Sequence, residues 1–376
     1  MRISFAFVKN KILCFLPEGI GVNCMKNQLL NFYTATNKKQ VHRMKLRHVV
    51  ILGTGGTIAG RSASASDNIG YTAAQVGVAQ LVSDIPAIAA FGPVSTEQVC
   101  QVDSKDMSFS LWVRLAGRVR HFLAQDDVQG IVITHGTDTL EETAYFLQAV
   151  CQPAKPVVLT CAMRPATSLA PDGSQNVLDA VAVARHPGAC GVVAVCAGVI
   201  HSALDVQKVH PYRLDAFRSG DAGPIGYVEE GCLRLLRSWN FPQVSPGFDA
   251  LQARVDWPRV EVIMSYAGAS AAIVQALVDQ GVRGLVVAAT GNGTLHHALE
   301  AGLRMAQAAG VRVVRATRCS DGPILPVPGA AFVDSKGLGP AKARIALMLD
   351  LMVADALGHA SSTPQKNPAK PTKKPP

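Results

Sequence analysis

No apolar run in the 376 residues approaches the roughly 18 to 20 uninterrupted positions that would cross a bilayer, which argues against a membrane-spanning helix. The nine cysteines, an odd number scattered from Cys14 to Cys319, contain no CxxC pair, so neither a disulfide framework nor a zinc site is expected. A signal peptide is not expected: Phe5 to Val8 and Ile12 to Leu16 are apolar, but Lys9 and Lys11 interrupt the run it would need. A cytoplasmic address follows as the expectation, with a periplasmic one left open. No internal repeat is present.

The formal charge of +9 suggests a nucleic-acid partner until it is located. Residues 1 to 45 carry eight Lys or Arg against one Glu, and the tail from His359 onward carries four Lys. With those removed, the body is left at −2. A body without positive excess offers no electrostatic footprint for DNA or RNA, and the basic ends are read as solvated tails. Hydrophobic residues make up 48% of the chain, ample for one large or two medium cores.

Short β-branched runs alternate with alanine- and leucine-rich helical patterns, as at His48 to Leu52, Ile131 to Thr134, Val157 to Thr160 and Gly191 to Cys196. That alternation predicts parallel strands joined by crossover helices. A second set follows, with strands near Val260 to Met264, Gly284 to Ala288 and Val311 to Arg315. The fold class expected is α/β, a larger N-terminal parallel-sheet domain (45–240) and a smaller C-terminal α/β domain (259–358). Between them, 241–258 reads as a Pro/Gly-containing linker. Residues 1–44 read as a disordered leader or an over-assigned start, since Met44 stands just before the first strand-like run. Residues 359–376, with five prolines and four lysines, read as a disordered tail.

Two segments at strand ends carry chemical information. The first is Gly53-Thr54-Gly55-Gly56-Thr57-Ile58-Ala59-Gly60, where glycine density lets backbone approach a ligand at the carboxyl end of a strand. A dinucleotide loop starting at Gly53 would need glycine where Ile58 stands, and no acidic residue ends a second strand about 20 residues on. What distinguishes the turn is Thr57, a hydroxyl that is a nucleophile if a neighbour takes its proton. The second segment is Thr134-His135-Gly136-Thr137-Asp138-Thr139-Leu140-Glu141-Glu142. Thr139 and Glu142 have capping-box spacing, which puts Thr137 and Asp138 just ahead of a helix start. Asp138 there serves either the helix terminus or a ligand, and the residues alone leave both open. His135 suits packing better than general-base work.

Taken together, the two segments resemble the signature motifs of the bacterial-type L-asparaginase family. The likeness continues through Asp103-Ser104-Lys105-Asp106-Met107, Ala162-Met163-Arg164-Pro165, Asp205-Val206-Gln207-Lys208 and Gly291-Asn292-Gly293-Thr294, and so spans residues 46 to 355. The resemblance implies a hydrolase that converts L-asparagine to L-aspartate and ammonia through an acyl-threonine, with L-glutamine as a second candidate substrate. It implies Thr57 as nucleophile, Tyr71 against it on a loop, and a second cluster of Thr137, Asp138 and Lys208. Ser104 and Asp138 would hold the substrate's α-carboxylate and α-ammonium, and Gly56, Lys105, Ala162 and Thr294 would complete the binding set. Tyr71 would relay the proton, Lys208 would act as base or electrostatic helper, and glycine-turn N–H groups would stabilise the oxyanion. Neither a metal nor an organic cofactor is implied, and a homotetramer is.

The chain departs from the family pattern at two places. Many members carry glutamine or another uncharged or acidic residue where this chain has Lys105, and many carry asparagine where it has Thr294. A cation at 105 is expected to alter affinity or selectivity rather than chemistry. Competing expectations are a glutaminase-asparaginase, the amidase subunit of a tRNA-dependent amidotransferase, and a non-catalytic binding module.

Overall fold

The β-branched runs form strands close to their expected places, and their order in the sheet decides where a ligand can sit. The computed structural model describes residues 4–8, 11–15, 47–239 and 256–361. The chain divides into two compact units, Met1–Gln243 and Val244–Pro376. At the start of the first, β1 (Ser4–Val8) pairs antiparallel with β2 (Lys11–Phe15). A disordered leader or an over-assigned start was expected over 1–44, most of which lies outside the described residues.

The main sheet of the first unit contains β3 (His48–Gly55), β4 (Val94–Val102), β5 (Val128–Thr134), β6 (Val157–Thr160), β7 (Val192–Cys196) and β8 (Val199–Ser202). A separate two-stranded ribbon is made by β9 (Gln207–Lys208) and β10 (Phe217–Arg218), and β11 (Gly226–Glu229) with β12 (Cys232–Leu235) completes the main sheet. The order across that sheet is β12-β11-β8-β7-β6-β5-β3-β4. From β4 to β7 every pairing is parallel, whereas β8, β11 and β12 add an antiparallel flank that the alternation pattern did not predict.

The connection after β3 moves to β4 on one side, and the chain then returns to β5 on the other. This reversal is the topological switch point of an open α/β sheet, the place where such sheets leave a crevice beyond the carboxyl ends of their strands. It lies between β3 and β5, the two strands that deliver the glycine-rich turn and the Thr134–Thr139 segment.

Helices α1 (Val78–Ser83), α2 (Phe109–Leu123), α3 (Leu140–Cys151) and α4 (Gly173–Arg185) cover this sheet. Alternation along the strands divides the core. Val49, Ile51, Val132, Val158 and Val193 pack with Val177, Ala180 and Val181 of α4, while the intervening Val50, Leu52, Ile131 and Ile133 are equally buried. Helix α2 buries Trp112, Leu115, Ala116 and Val119, the i, i+3, i+4, i+7 stripe of an amphipathic helix. Helix α3 has Glu141 and Glu142 in its first turn, where carboxylates suit the helix dipole, and stops at Gln152 in the left-handed conformation (φ 42°) just before Pro153.

The second unit is a four-stranded parallel sheet of β13 (Val260–Met264), β14 (Gly284–Ala289), β15 (Arg312–Thr317) and β16 (Val333–Asp334), in that order. Helices α5 (Ala272–Asp279) and α6 (His297–Ala308) pack with Ile263, Leu285, Val287 and Val313. Helix α7 (Pro340–Ser361) packs on β13, β14 and β15. It runs to Ser361, past the start of the tail expected at 359. Most of the linker expected at 241–258, its residues 241–255, and the tail beyond 361 lie outside the described residues. Among the described residues no helix is long and apolar enough to cross a membrane.

Candidate active site at the switch point

Strands β3 and β5 run in register with Gly53 opposite Thr134, so the residues just beyond them leave the sheet side by side. Thr54 donates its hydroxyl to the Thr134 carbonyl (2.9 Å), which ties the two strand ends together. Beyond that tie the two loops touch. Gly55 and Gly56 hold φ of 106° and 81°, and a Cβ on Gly56 would overlap the backbone of Gly136. Gly56 and Gly136 are each followed directly by a threonine. Thr57 and Thr137 are therefore carried to one crevice, and both are almost fully buried at 6% exposure.

The Gly56 N–H is already donated to the Val102 carbonyl (2.9 Å), so that group is spent on the sheet and is not free for an oxyanion. Close approach is what Gly56 supplies to the site.

Thr57 begins a short 3-10 turn, Thr57–Ala59, and its Oγ1 lies 2.6 Å from the Tyr71 hydroxyl. Tyr71 reaches it because the loop between folds back: Arg61 and Thr72 exchange backbone hydrogen bonds of 3.0 and 2.9 Å. A side chain on Gly60 would meet the Tyr71 ring at 2.9 Å, so the absence of one lets the ring lie across the turn. The loop's outer part rests on the segment after β6. The Ser62 N–H donates to Thr167 Oγ1 (2.8 Å), Ser168 Oγ donates to Asn68 Oδ1 (2.7 Å), and Leu169 N–H donates to the Ala65 carbonyl (3.0 Å). That segment is fixed by Asp172, whose carboxylate accepts the N–H groups of Met163 and Arg164, both at 3.0 Å. Ala162 lies at its start, buried. A Cβ on Gly173 would meet both Ile58 and Ala162, which places Ala162 near the first turn.

The Thr137 neighbourhood differs in kind. Lys208 Nζ donates to Thr137 Oγ1 at 2.8 Å and to Asp138 Oδ1 at 2.6 Å, with its side chain only 19% exposed. Asp138 thus spends its carboxylate on the lysine and on Thr137, whose hydroxyl lies 3.4 Å away, rather than on the helix start. Ser104 is 2% exposed, and its Oγ accepts the Asp138 N–H (3.1 Å), which leaves its own O–H to donate elsewhere. Thr139 precedes α3 but does not cap it; its hydroxyl donates to the Ser104 carbonyl (2.8 Å). The capping-box spacing marked the helix start correctly and misassigned this side chain, because a tertiary acceptor competes for the hydroxyl.

His135 is fully buried in a chain of hydrogen bonds with one consistent direction. Trp112 Nε1–H donates to Thr143 Oγ1 (2.9 Å), and Thr143 lies 3.0 Å from His135 Nε2. His135 Nδ1 is 2.8 Å from the Gly136 carbonyl, an acceptor, so the proton is on Nδ1 and Thr143 donates to Nε2. The imidazole is neutral, and burial pushes its pKa down to about 4. This ring fixes the loop between Thr134 and Thr137; it is no base.

Two expected binding residues make local contacts. Lys105 Nζ is engaged by Asp103 (2.8 Å) and Asp106 (3.3 Å) with a side chain 60% exposed, and these hydrogen bonds raise its pKa. Thr294 belongs to the second unit, where its hydroxyl donates to the Thr290 carbonyl (2.9 Å) and closes its own turn. Residues the sequence reading passed over are Thr139 in this role, Asp172, and Glu141, whose Oε2 accepts the Lys208 N–H at 2.7 Å. Their partners are 8 to 67 positions distant, and no periodicity signals them.

Beneath the crevice, Cys161 and Cys196 bring their sulfurs to 3.3 Å at the aligned ends of β6 and β7. Their mutual hydrogen bond, followed by burial, pushes the Cys161 thiol well up. Cys232 is disulfide-bonded, a pairing that the cysteine spacing did not announce. Among the described residues no group of three or more His, Cys, Asp or Glu is arranged to hold a metal ion.

Comparison with known proteins adds to this geometry. Residues 48–240 match the family model described as Asparaginase, N-terminal, and residues 259–356 match the Glutaminase/Asparaginase C-terminal domain. L-asparaginase 2 of Bacillus subtilis (strain 168) is 37% identical over 332 residues, 87% of each chain. The Glutaminase-asparaginase of Pseudomonas fluorescens biotype A is 35% identical over 356 residues, 92% of this chain and 96% of that one. A crystal structure of the probable cytoplasmic L-asparaginase from Campylobacter jejuni superposes with a TM-score of 0.77 at 35% identity, covering 81% of this chain and 95% of that one.

Proposed function

The chain belongs to the asparaginase family, and from that membership we propose that it is an L-asparaginase, an amidohydrolase that cleaves the side-chain amide of L-asparagine to L-aspartate and ammonia with Thr57 as nucleophile. The observation that carries the assignment is the convergence of two threonine hydroxyls on one crevice, one 2.6 Å from a phenol and the other 2.8 Å from a lysine ammonium.

In this reading the Thr57 hydroxyl attacks the side-chain carbonyl carbon and gives its proton to the Tyr71 oxygen as the phenol passes its own proton towards the leaving nitrogen. The C–N bond breaks as that nitrogen takes the relayed proton, and ammonia departs, leaving an aspartyl ester on Thr57. Water then attacks the ester and regenerates the hydroxyl. Lys208 lends positive charge to the Thr137 side of the crevice, where burial makes charge count for more than it does in water. Ser104 offers its free O–H to the substrate's α-carboxylate, and the Asp138 carboxylate attracts the α-ammonium. The substrate is a small molecule.

The Pseudomonas fluorescens relative, a glutaminase-asparaginase by name, supports L-glutamine as a second substrate. The exposed Val262, Met264, Tyr266 and Leu325 of the second unit favour self-association, read here as a homotetramer. A cytoplasmic address is proposed on the name of the Campylobacter jejuni relative. The deciding test is ammonia release by the purified full chain from L-asparagine, L-glutamine and buffer alone, without tRNA. Release from asparagine above the other two supports the assignment; none from either amino acid would overturn it.

A further inference from the structure

Lys208 stands on a short element. Strand β9 is two residues long and pairs Lys208 with Phe217 and Gln207 with Arg218, flanked by backbone hydrogen bonds from Val209 to the Ala216 carbonyl and from Val206 to the Ser202 carbonyl, both 2.8 Å. A four-carbon stem on so short a strand would let the ammonium wander. Yet Nζ meets Thr137 and Asp138 at 2.8 and 2.6 Å at the same time.

We infer that Glu141 is the positioning residue for Lys208, holding it through its backbone amide. Glu141 is the second residue of α3, three positions after Asp138, and its Oε2 accepts the Lys208 N–H at 2.7 Å. A charge-assisted hydrogen bond of that length is among the stronger ones a carboxylate makes to backbone. The inference rests on the role given above to Lys208 and extends it. The start of α3 then works as one rigid organiser for three segments. Asp138 N–H holds Ser104 Oγ, Thr139 Oγ1 holds the Ser104 carbonyl, and Glu141 holds the strand that carries Lys208. The lysine is thereby gripped at both ends, by its amide from Glu141 and by its ammonium from Asp138, both of which belong to one short stretch of chain. A helix terminus packed into the core moves less than a two-residue ribbon, so the ammonium takes its precision from α3. Losing that grip displaces Nζ relative to Thr137, and displacements on the order of 1 Å in a catalytic array cost on the order of 100-fold.

The test is steady-state hydrolysis of L-asparagine by the full chain and by Glu141→Ala, Glu141→Gln and Lys208→Met, with the melting temperature of each. Glu141→Ala is expected to lower kcat by about 10- to 100-fold with KM within about twofold and the melting temperature close to the parent. Glu141→Gln keeps an oxygen acceptor for the Lys208 N–H and is expected to stay within about threefold of the parental kcat. A parental kcat in Glu141→Ala overturns the inference. So does a kcat loss that follows the melting temperature down and is not restored by glutamine, since that describes a purely structural carboxylate. If the alanine variant does not fold, Glu141→Asp carries the test, because it keeps the charge and withdraws the oxygen by one methylene. A lowered kcat at parental KM supports the inference there, and a parental kcat overturns it. Lys208→Met separates the two levels. A parental kcat in that variant removes the role of Lys208, and this inference with it; an inactive Lys208→Met beside a parental Glu141→Ala removes Glu141 alone.

Discussion

The two threonines that meet at the switch point are alike in burial and unlike in company. Thr57 faces a phenol delivered by a loop that folds back over its own turn, and that loop leans on the segment fixed by Asp172. Thr137 faces an ion pair between Lys208 and Asp138, and its loop is held from below by a neutral, buried imidazole. The first arrangement can move a proton without moving charge through it. The second keeps a fixed charge beside the site. The difference shows how a fold can use one residue type twice: the hydroxyl is the same, and its partner decides whether it reacts or organises.

Substitutions on the two sides should therefore fail differently, and the largest difference comes first. Thr57→Ala removes the attacking atom, and kcat should fall by about 10,000-fold or more with little change in KM. A Thr137→Ala variant with the larger loss would reverse the assignment of roles. Next, Lys208→Met removes the fixed charge and should lower kcat/KM by about 100- to 1,000-fold. Tyr71→Phe acts on proton transfer alone and should cost on the order of 100-fold, mainly in kcat. If the tyrosine variant lost substrate affinity instead, the phenol would belong to binding and the contrast between the two sides would weaken.

The contrast is sharpened by acid. The buried His135 titrates at about 4 against an ordinary value of 6.5, so the unfolded chain takes up its proton first as pH falls. Well above pH 6.5 both states are neutral and this group contributes no pH dependence. Between 6.5 and 4 it withdraws up to about 3 kcal/mol of stability. Asp179 works in the opposite direction, because burial pushes its carboxyl up to about 6 and acid relieves it. Denaturant titrations of the parent and of His135→Gln from pH 7.5 to 4 isolate the histidine. The stability gap between them should narrow as the pH falls, whereas a constant gap would mean that the imidazole is not kept neutral.

The smallest effect is expected at Lys105. Its ammonium is shared by Asp103 and Asp106 and open to solvent, so the cation that the sequence sets beside the carboxylate site is largely neutralised. Lys105→Gln should change KM for asparagine by less than about twofold, and a larger rise would show that the lysine leaves its carboxylates for the substrate.

How much of this was legible in the sequence depends on range. Strands such as Val157–Thr160 and Val260–Met264 were readable because β-branched runs bounded by turn residues carry a local signal. Thr57 and Thr137 stood out because each follows glycine at the end of such a run. The antiparallel flank of β8, β11 and β12 was not readable, since its strands are four residues long and their pairing is set by the sheet edge they complete. The same holds for Thr139 and Glu141. Their spacing speaks of a helix start, but the carbonyl of Ser104 and the amide of Lys208 claim them in the folded chain. Resemblance supplied Tyr71 and Lys208, which composition alone would have left as an ordinary loop tyrosine and a surface lysine.

The most direct measurement is an acid quench of the enzyme during turnover of L-asparagine, followed by peptide mapping by mass spectrometry. The account predicts an aspartyl ester on the peptide containing Thr57, absent from Thr57→Ala. An ester on Thr137, or a Thr57→Ala enzyme that still accumulates one at the parental rate, would contradict it.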